Sequence, residues 1–586
     1  MNKFLPIAII TVAVVLMLLS MVNDSFIVDE IPHVGAGYSY VTKGDMRLNP
    51  EHPPLAKDLT GFALLALNLR QDAFQTAFWT TDINGQWEFG RRLIYNSGNN
   101  AEDITYVARL PMLLFFVLSA ALLFRWANEL YGRKGALIAL FLFAFSPTVM
   151  AHARFVTTDV PALFAVLWST YFFVRYLKSP TRANFFKAAV IFGVALLTKF
   201  STFLIVPFLG LTALLYGLIF EVHGKRVMGA IKWGFKSVAV FAVGFILVVW
   251  PVYYLHTMNY PPERQQNDTE VLLSSFGNRI AADPVVWMAD KPVIRAAGQY
   301  FLGLLMVTQR SAGGNTIFFL GQVKNYGGPI YFPLVYLIKE PLAWWALAFI
   351  AIIVLTLRTR SLPDRSWLKK HFQELAMVIW LAVYWGTSIQ SKLNIGVRHL
   401  MPVFPFMIML VSGQIAHALE NTKISRSGQR KAIPILVGVL LAWFAVENLR
   451  VFPYYLSYFN QLAGGPSGGY RYVVDSNLDW GQDLKRLSQF VDDNNITRIE
   501  LDYFGWADPS FYLKQKHVWT TSTKYRNGQD FIQRNSSNGW IAVSATFLQG
   551  SIGTEEKPES VNYTWLKSYK PVEVIGNSIF VWHITR

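Results

Sequence analysis

The sequence predicts an α-helical polytopic membrane protein that carries an α/β domain outside the membrane. Three observations carry that prediction. Hydrophobic residues make up 53% of the 586 positions and gather in long blocks. Eleven of these blocks are long enough, or nearly so, to cross a bilayer. After residue 450 the blocks stop, and short apolar strands around a polar-faced helix take their place.

The first block runs from Phe4 to Val22 behind Lys3, and no small-x-small cleavage site follows it, so it reads as an uncleaved transmembrane helix. Further spans are expected near 106–125, 136–151, 160–177, 185–198, 200–220, 235–255, 341–357, 375–389, 399–419 and 432–450. Orientation follows from the short loops. Arg133, Lys134, Lys178, Arg182, Lys225, Arg226, Arg360, Lys369, Lys423, Arg426, Arg430 and Lys431 fall on alternate loops, whereas the opposite short loops hold few basic residues beyond Arg154, Lys199, Lys392 and Arg398. Positive residues in short loops stay in the cytoplasm, so the chain is expected to run N-in and C-out. The net charge of +16 is thereby explained by topology, and nucleic-acid binding is excluded as its meaning. With no cysteine, disulfides, thiolate catalysis and Cys-ligated metals are excluded as well.

The expected organisation is a membrane domain over 1–450, with outer loops at 23–105 and 256–340, and an extracytoplasmic α/β domain over 451–586. In that last segment "YRYVVDSNLDWGQDLKRLSQFVDDNNITRIELDYFG" reads as strand, helix and strand, and "GWIAVSATF" and "PVEVIGNSIFVWHI" add apolar strand patterns. In the first loop Leu55, Leu59, Phe62, Leu65 and Leu69 recur at helical spacing, which predicts an amphipathic helix on the membrane surface.

Ionisable residues at membrane depth are expensive and are usually paired or functional. In this topology they gather on the outer side: Asp29, Glu30, His33, Asp45, Glu51, His52 and Lys57 in the first loop, Arg109, Arg154 and Asp159 at helix ends, then Lys199, Lys339-Glu340 and Arg398-His399. A transporter would more often hold such groups near the midplane. Each also has a plain structural reading. Asp29-Glu30 can be a solvated helix start, Arg109 can snorkel, and "TTDVPA" can be a helix start capped by Asp159. Lys339-Glu340 can be a local ion pair, and His52 and His399 can be packing residues; no HExxH-type spacing supports a metal.

The ordered set resembles the GT-C glycosyltransferases that use polyprenyl-phosphate sugars. It is most similar to the bacterial, protein O-mannosyltransferase-like branch of glycosyltransferase family 39, and is similar to the lipid A aminoarabinose transferases. The residues that carry the resemblance are "VDE" in the first outer loop, "RLPMLLFFVLSA", "RFVTTDVPALFAV", "LTKFSTFLIVPF", "LIKEPLA", "SKLNIGVRHLMPVFPF" and "DSNLDWGQDLKRL". The resemblance implies that Asp29 is the catalytic base or positions the acceptor, with Glu30 its neighbour and Asp159 the second acidic residue. It implies that Arg109 meets the donor phosphate. "PEHPPL", holding Glu51 and His52, resembles the Glu-Lys-Pro-Pro-Leu stretch that contacts donor phosphate in the aminoarabinose transferases, with His52 in the lysine's place. There is no room in 256–340 for the MIR domains of eukaryotic mannosyltransferases, and "LDWGQD" is not the Trp-Trp-Asp-Tyr-Gly motif of oligosaccharyltransferases.

The expected activity is inverting transfer of a sugar, mannose by family default, from a polyprenyl-phosphate carrier to a hydroxyl of a protein or glycolipid. Further expected ligands of the donor phosphate or substrate are Lys57, Lys199, Lys339, Glu340, Arg398 and His399. Arginine and lysine can balance the leaving phosphate, so no obligatory metal or other cofactor is expected. The expected setting is the outer face of a bacterial plasma membrane. The rival readings are a flippase of lipid-linked sugars and a non-catalytic membrane scaffold.

Overall fold

The computed structural model describes residues 4–222, 224–358, 364–420, 432–535, 538–553 and 562–585. A helix occupies each of the eleven apolar runs. Among the described residues six helices are long and apolar enough to cross a membrane. A seventh follows if Tyr331–Lys339 and Leu342–Arg358, bent by 109° where they meet, count as one. The protein is a multi-pass membrane protein. Part of the gap between six and eleven lies at Gly132, inside the helix Met112–Ala144. Gly132 has φ 67, a conformation glycine tolerates, and the helix breaks there. The rings of Phe116 and Phe143 stack 5.6 Å apart. A straight helix would separate them by about 40 Å. This run therefore folds back on itself, with Arg133 and Lys134 beside the turn. Arg360, Lys423, Arg426, Arg430 and Lys431 lie outside the described residues.

The first loop, expected on the outer side, is a packed helical layer. Its central helix, Glu30–Lys43, is buried from Glu30 to Tyr40 and ends on Gly44 in the left-handed conformation. Glycines let its neighbours approach: a Cβ on Gly37 would strike the Lys57 carbonyl of the Leu55–Leu64 helix, and one on Gly35 would strike Gly90 of the Gln86–Tyr95 helix. The Leu55–Leu64 helix is amphipathic as its spacing requires, burying Ala56, Lys57, Thr60, Gly61 and Leu64 while Phe62 and Leu65 stay exposed. It packs on the central helix through Gly37 and Gly61, so one face is committed to protein.

The segment after residue 450, expected on the outer side and called the outer segment below, forms a five-stranded sheet from β3 (Ile499–Asp502), β4 (His517–Trp519), β5 (Trp540–Ser544), β6 (Glu573–Ile575) and β7 (Ile579–His583), in the order β4-β3-β5-β7-β6. β3 is parallel to β4 and β5, and β7 is antiparallel to β5 and β6. Gly576 and Asn577, both at positive φ, make the tight β6–β7 turn that their pairing favours. The helix Leu484–Asp493 forms as its strongly one-sided pattern predicts. Two strand expectations are corrected. "YRYVV" forms turns, with Val473 making one isolated bridge to Phe319 of a small hairpin, β1 (Ile317–Phe319) and β2 (Gln322–Lys324). "GWIAVSATF" is strand only to Ser544 and then helix Ala545–Ile552.

The outer segment is bonded to the first loop. Ser25 N–H donates to the Gln482 carbonyl and Val28 N–H to that of Trp480, both at 2.9 Å. Beneath them Asp24 is sealed between Arg154 and Arg486, with Arg486 also on Asp483 at 2.6 Å.

Candidate active site

A cavity of about 1220 Å³ opens where the first loop, the membrane helices and the outer segment meet. Arg398 lines it. Its Nη1 donates to Asp29 at 2.7 Å and to Asp159 at 3.4 Å, its Nε to Ser476 Oγ at 3.2 Å, and its guanidinium lies 4.2 Å over the Trp480 ring. Lys199 Nζ donates to the second oxygen of Asp159 at 2.6 Å.

Both aspartates sit at helix starts, and neither spends its carboxylate on the backbone. Asp29 precedes the Glu30–Lys43 helix without a side-chain cap bond, and Asp159 is the first residue of the Asp159–Lys178 helix rather than its cap. Both are free to face the cation. They differ in access: the Asp29 side chain is 26% exposed, and that of Asp159 is 0% exposed.

Of the residues expected at the site, Asp29, Glu51, His52, Lys199, Arg398 and His399 line the cavity, and Asp159 reaches it through its two cations. Glu51 takes hydrogen bonds from Gln86 at 2.5 Å and Asn84 at 3.3 Å. The rings of His33 and His52 meet edge to face at 5.0 Å. Burial pushes both imidazoles below their ordinary value, His52 strongly, so they are neutral. His52 Nδ1 is buried without a hydrogen-bond partner among the described residues, a group that a ligand could satisfy.

Five other expected site residues do not line this cavity. Glu30 and Arg109 form a fully buried pair, with Arg109 bonded twice to Glu30 and its remaining donors on the carbonyls of Asp24 and Ser25. Every polar atom of that pair is engaged in holding the loop. Lys57 Nζ is caged by Tyr40 Oη, the Asn49 carbonyl and side chain, and the His52 carbonyl, at 2.7–2.9 Å. Burial brings its pKa down to about 7. Lys339 Nζ donates to the carbonyls of Leu456 and Asn477 at 2.8 and 2.7 Å, joining the end of the Tyr331–Lys339 helix to the outer segment. Glu340 is buried beside Ser146.

The cavity also holds residues to which the sequence assigned no role. Arg310, near the end of the Arg295–Gly313 helix, and Lys392 line it, and neither has an ion-pair partner among the described residues. Phe203, Leu204, Leu304 and Met306 give it an apolar wall. From the outer segment come Asp475 and Trp480, both within "DSNLDWGQD", a polar and aromatic cluster whose density was the available signal. Burial pushes the Asp475 carboxyl up to about 6 against the pull of Arg398.

Residues 101–253 match the family model described as dolichyl-phosphate-mannose-protein mannosyltransferase. No curated protein sequence matches the chain. Among solved structures, the Saccharomyces cerevisiae protein O-mannosyltransferase Pmt1-Pmt2 complex bound to the sugar donor aligns with TM-score 0.54 at 13% identity. That alignment covers 77% of this chain and 89% of that one. ArnT from Cupriavidus metallidurans bound to undecaprenyl phosphate aligns with TM-score 0.47 at 14% identity over 98% and 97%. The archaeal oligosaccharyltransferase AglB from Archaeoglobus fulgidus gives TM-score 0.48 at 11% identity over 95% and 72%. The chain has the GT-C glycosyltransferase fold, and the sequence resemblance and the family-model match fall on the same class.

Proposed function

We propose that this protein moves a sugar from a polyprenyl-phosphate carrier to an acceptor hydroxyl at the outer face of a bacterial plasma membrane. The observation that carries the reading is the composition of one cavity. A partly exposed carboxylate, four cations and an apolar wall border the same space. The carrier's phosphate lies by Lys199, Arg310, Lys392 and Arg398, and its chain leaves along Phe203, Leu204, Leu304 and Met306. His52 offers its unpartnered ring nitrogen from the first loop.

Asp29 takes the proton of the acceptor hydroxyl as that oxygen bonds to C1 of the sugar. The bond from C1 to the phosphate oxygen breaks at the same time, and polyprenyl phosphate leaves with the electron pair. One displacement inverts the anomeric carbon. Negative charge grows on the leaving phosphate, where the cations stabilise it more than in the ground state. Arg398 is suited to both tasks, because it bridges Asp29 and Asp159 and can turn toward the phosphate as Asp29 gains its proton. On this reading Arg398 takes the role first expected of Arg109. No metal is needed for that charge balance.

The test is transfer from labelled polyprenyl-phosphate hexoses by the purified protein in lipid, with host membrane lipids and proteins as acceptors. Wild type is expected to label a product, and Asp29→Asn to lose about 10²–10⁴-fold in rate. Equal rates would remove Asp29 as base. No donor turnover by folded wild type would refute the transferase and favour a flippase.

A further inference from the structure

We propose that Trp87 and Trp506 form a saccharide-binding subsite at the rim of the cavity, so that the acceptor is a carbohydrate and not a polypeptide. The acceptor assignment rests on the transferase reading above. Trp87 comes from the Gln86–Tyr95 helix of the first loop, and Trp506 from the turn after β3. Their indole centroids lie 4.9 Å apart with the planes inclined by 32°, and both rings line the cavity half-buried, with Phe504 beside them.

The platform is held in place from below. Asp508 receives Arg91 at 3.4 Å and Asn96 at 3.3 Å, which ties the two ring-bearing segments together, and Phe504 N–H donates to Ser544 Oγ at 3.0 Å. At its edge the Gln86 amide donates to the Glu51 carboxylate, and both side chains face the cavity. At that spacing and tilt the two indoles stack on one another, so what they offer is a single outward indole face, and such a face flanked by a carboxylate and a carboxamide matches a pyranose. The sugar's C–H face is weakly positive and suits the negative ring face, and its equatorial hydroxyls point outward to groups that accept and donate.

An acceptor peptide would be favoured by a different construction. Extended peptides are commonly gripped by the free N–H and C=O groups of an edge strand. None of the residues lining this cavity belongs to a strand. The donor's own sugar is a second source of the same chemistry. The cations and apolar wall that fit the carrier stand on other elements, chiefly the Phe200–Leu204 turn and the Arg295–Gly313 helix, so the tryptophan rim is left for the second sugar.

The test uses the full chain in lipid nanodiscs, with methyl hexopyranosides and linear tri-hexoses as probes, followed by saturation-transfer NMR. Saturation is expected on the C–H protons of one pyranose face. Trp506→Ala and Trp87→Ala should each weaken binding about tenfold, the size of one aromatic contact, and Trp506→Phe should stay close to wild type. The phenylalanine variant also reports that the loop still folds. Unchanged saccharide binding in both alanine variants would overturn the proposal, as would no binding to wild type. A Ser/Thr-rich peptide held through Trp506 in place of the saccharides would overturn it too. Displacement of the saccharide by a polyprenyl-phosphate hexose, but not by polyprenyl phosphate, would overturn the acceptor assignment. If wild type consumes no donor yet binds saccharides through Trp506, the subsite stands and only its acceptor role falls, together with the transferase.

Discussion

Arg109→Met separates a structural arginine from a phosphate ligand. The Glu30 carboxylate takes four donors in the fold: Arg109 Nε at 2.8 Å and Nη2 at 2.7 Å, Ile27 N–H at 3.0 Å and Val156 N–H at 2.9 Å. Both side chains are 0% exposed. Removing the arginine leaves a carboxylate with two of its four donors and no counter-charge, in a place water does not reach. Breaking a buried pair from one side costs about 3–5 kcal/mol. The carbonyls of Asp24 and Ser25 lose donors as well, which pushes the cost toward the upper end. Glu30→Gln should be similarly destabilising, because Arg109 is then the unpaired charge. The double variant Glu30→Gln/Arg109→Met should recover roughly 0.5–3 kcal/mol relative to the sum of the two. Unfolding from mixed micelles with increasing SDS fraction measures all three. Polyprenyl-phosphate binding is then read on the molecules that remain folded, where wild-type affinity is expected. An Arg109→Met protein of wild-type stability that no longer binds polyprenyl phosphate would refute the reasoning and return Arg109 to the phosphate.

Lys199→Gln and Arg310→Gln should each raise the donor KM about tenfold or more, as expected for one charge-assisted contact to phosphate; wild-type KM in both would move the phosphate elsewhere. Burial pushes the Asp479 carboxyl from 3.8 up to about 8, with one oxygen on the Thr546 N–H and the other without a hydrogen bond among the described residues. The folded state therefore keeps a proton that the unfolded chain releases, and that contribution, full below 3.8, is lost as pH rises through about 8. Asp479→Asn should flatten the decline in unfolding midpoint across that window, and an unchanged slope would show that Asp479 is ionised in the fold. Chelation with EDTA should leave the transfer rate unchanged, and restoration of a lost rate by added Mg²⁺ would show a required metal.

Much of this arrangement is legible in the sequence. Hydropathy alone places a helix at each apolar run, because a bilayer leaves few alternatives to a hydrogen-bonded helix. Gly132 explains how a turn hides inside one long helix: only a local φ reversal separates two runs that hydropathy reads separately. At the site, Asp29, Asp159, Lys199 and Arg398 are found by their charge at the membrane edge, and they do converge. Arg109, Lys57 and Lys339 carry the same charge at the same depth, yet serve the fold. Most of their partners are backbone carbonyls, those of Asp24, Ser25, Asn49, His52, Leu456 and Asn477, and a carbonyl leaves no mark in a sequence. Arg310 and Lys392 escaped for the opposite reason. Neither stands beside another charged residue in the sequence, and each acquires meaning only when the chain brings it to the cavity that Arg398 shares.

Burial separates chemistry from structure within one dipeptide. Asp29 and Glu30 are adjacent carboxylates, but a helix start turns neighbouring side chains in different directions. Glu30 is sealed under Arg109 while Asp29 keeps a quarter of its surface open to the cavity. A base must reach the acceptor, and of the two only Asp29 can. The same sealed groups fix what stands opposite it. Asp24 on Arg154 and Arg486, Asp483 on Arg486, and Lys339 on two carbonyls of the outer segment all lie within the seam that carries Trp480 and Asp475. Lifting the outer segment from the membrane helices would break the Asp24–Arg486 pair and strip Lys339 of both its carbonyls, at about 3–5 kcal/mol for each charge left without its partner. That is too much for a motion repeated at every turnover, so the outer segment acts as a fixed wall of the site. On the proposed reading, the acceptor enters along the side of Trp87 and Trp506, and the carrier from the apolar side, past Phe203 and Leu304. The two substrates then meet at Asp29 from different sides, which is the geometry a single inverting displacement requires.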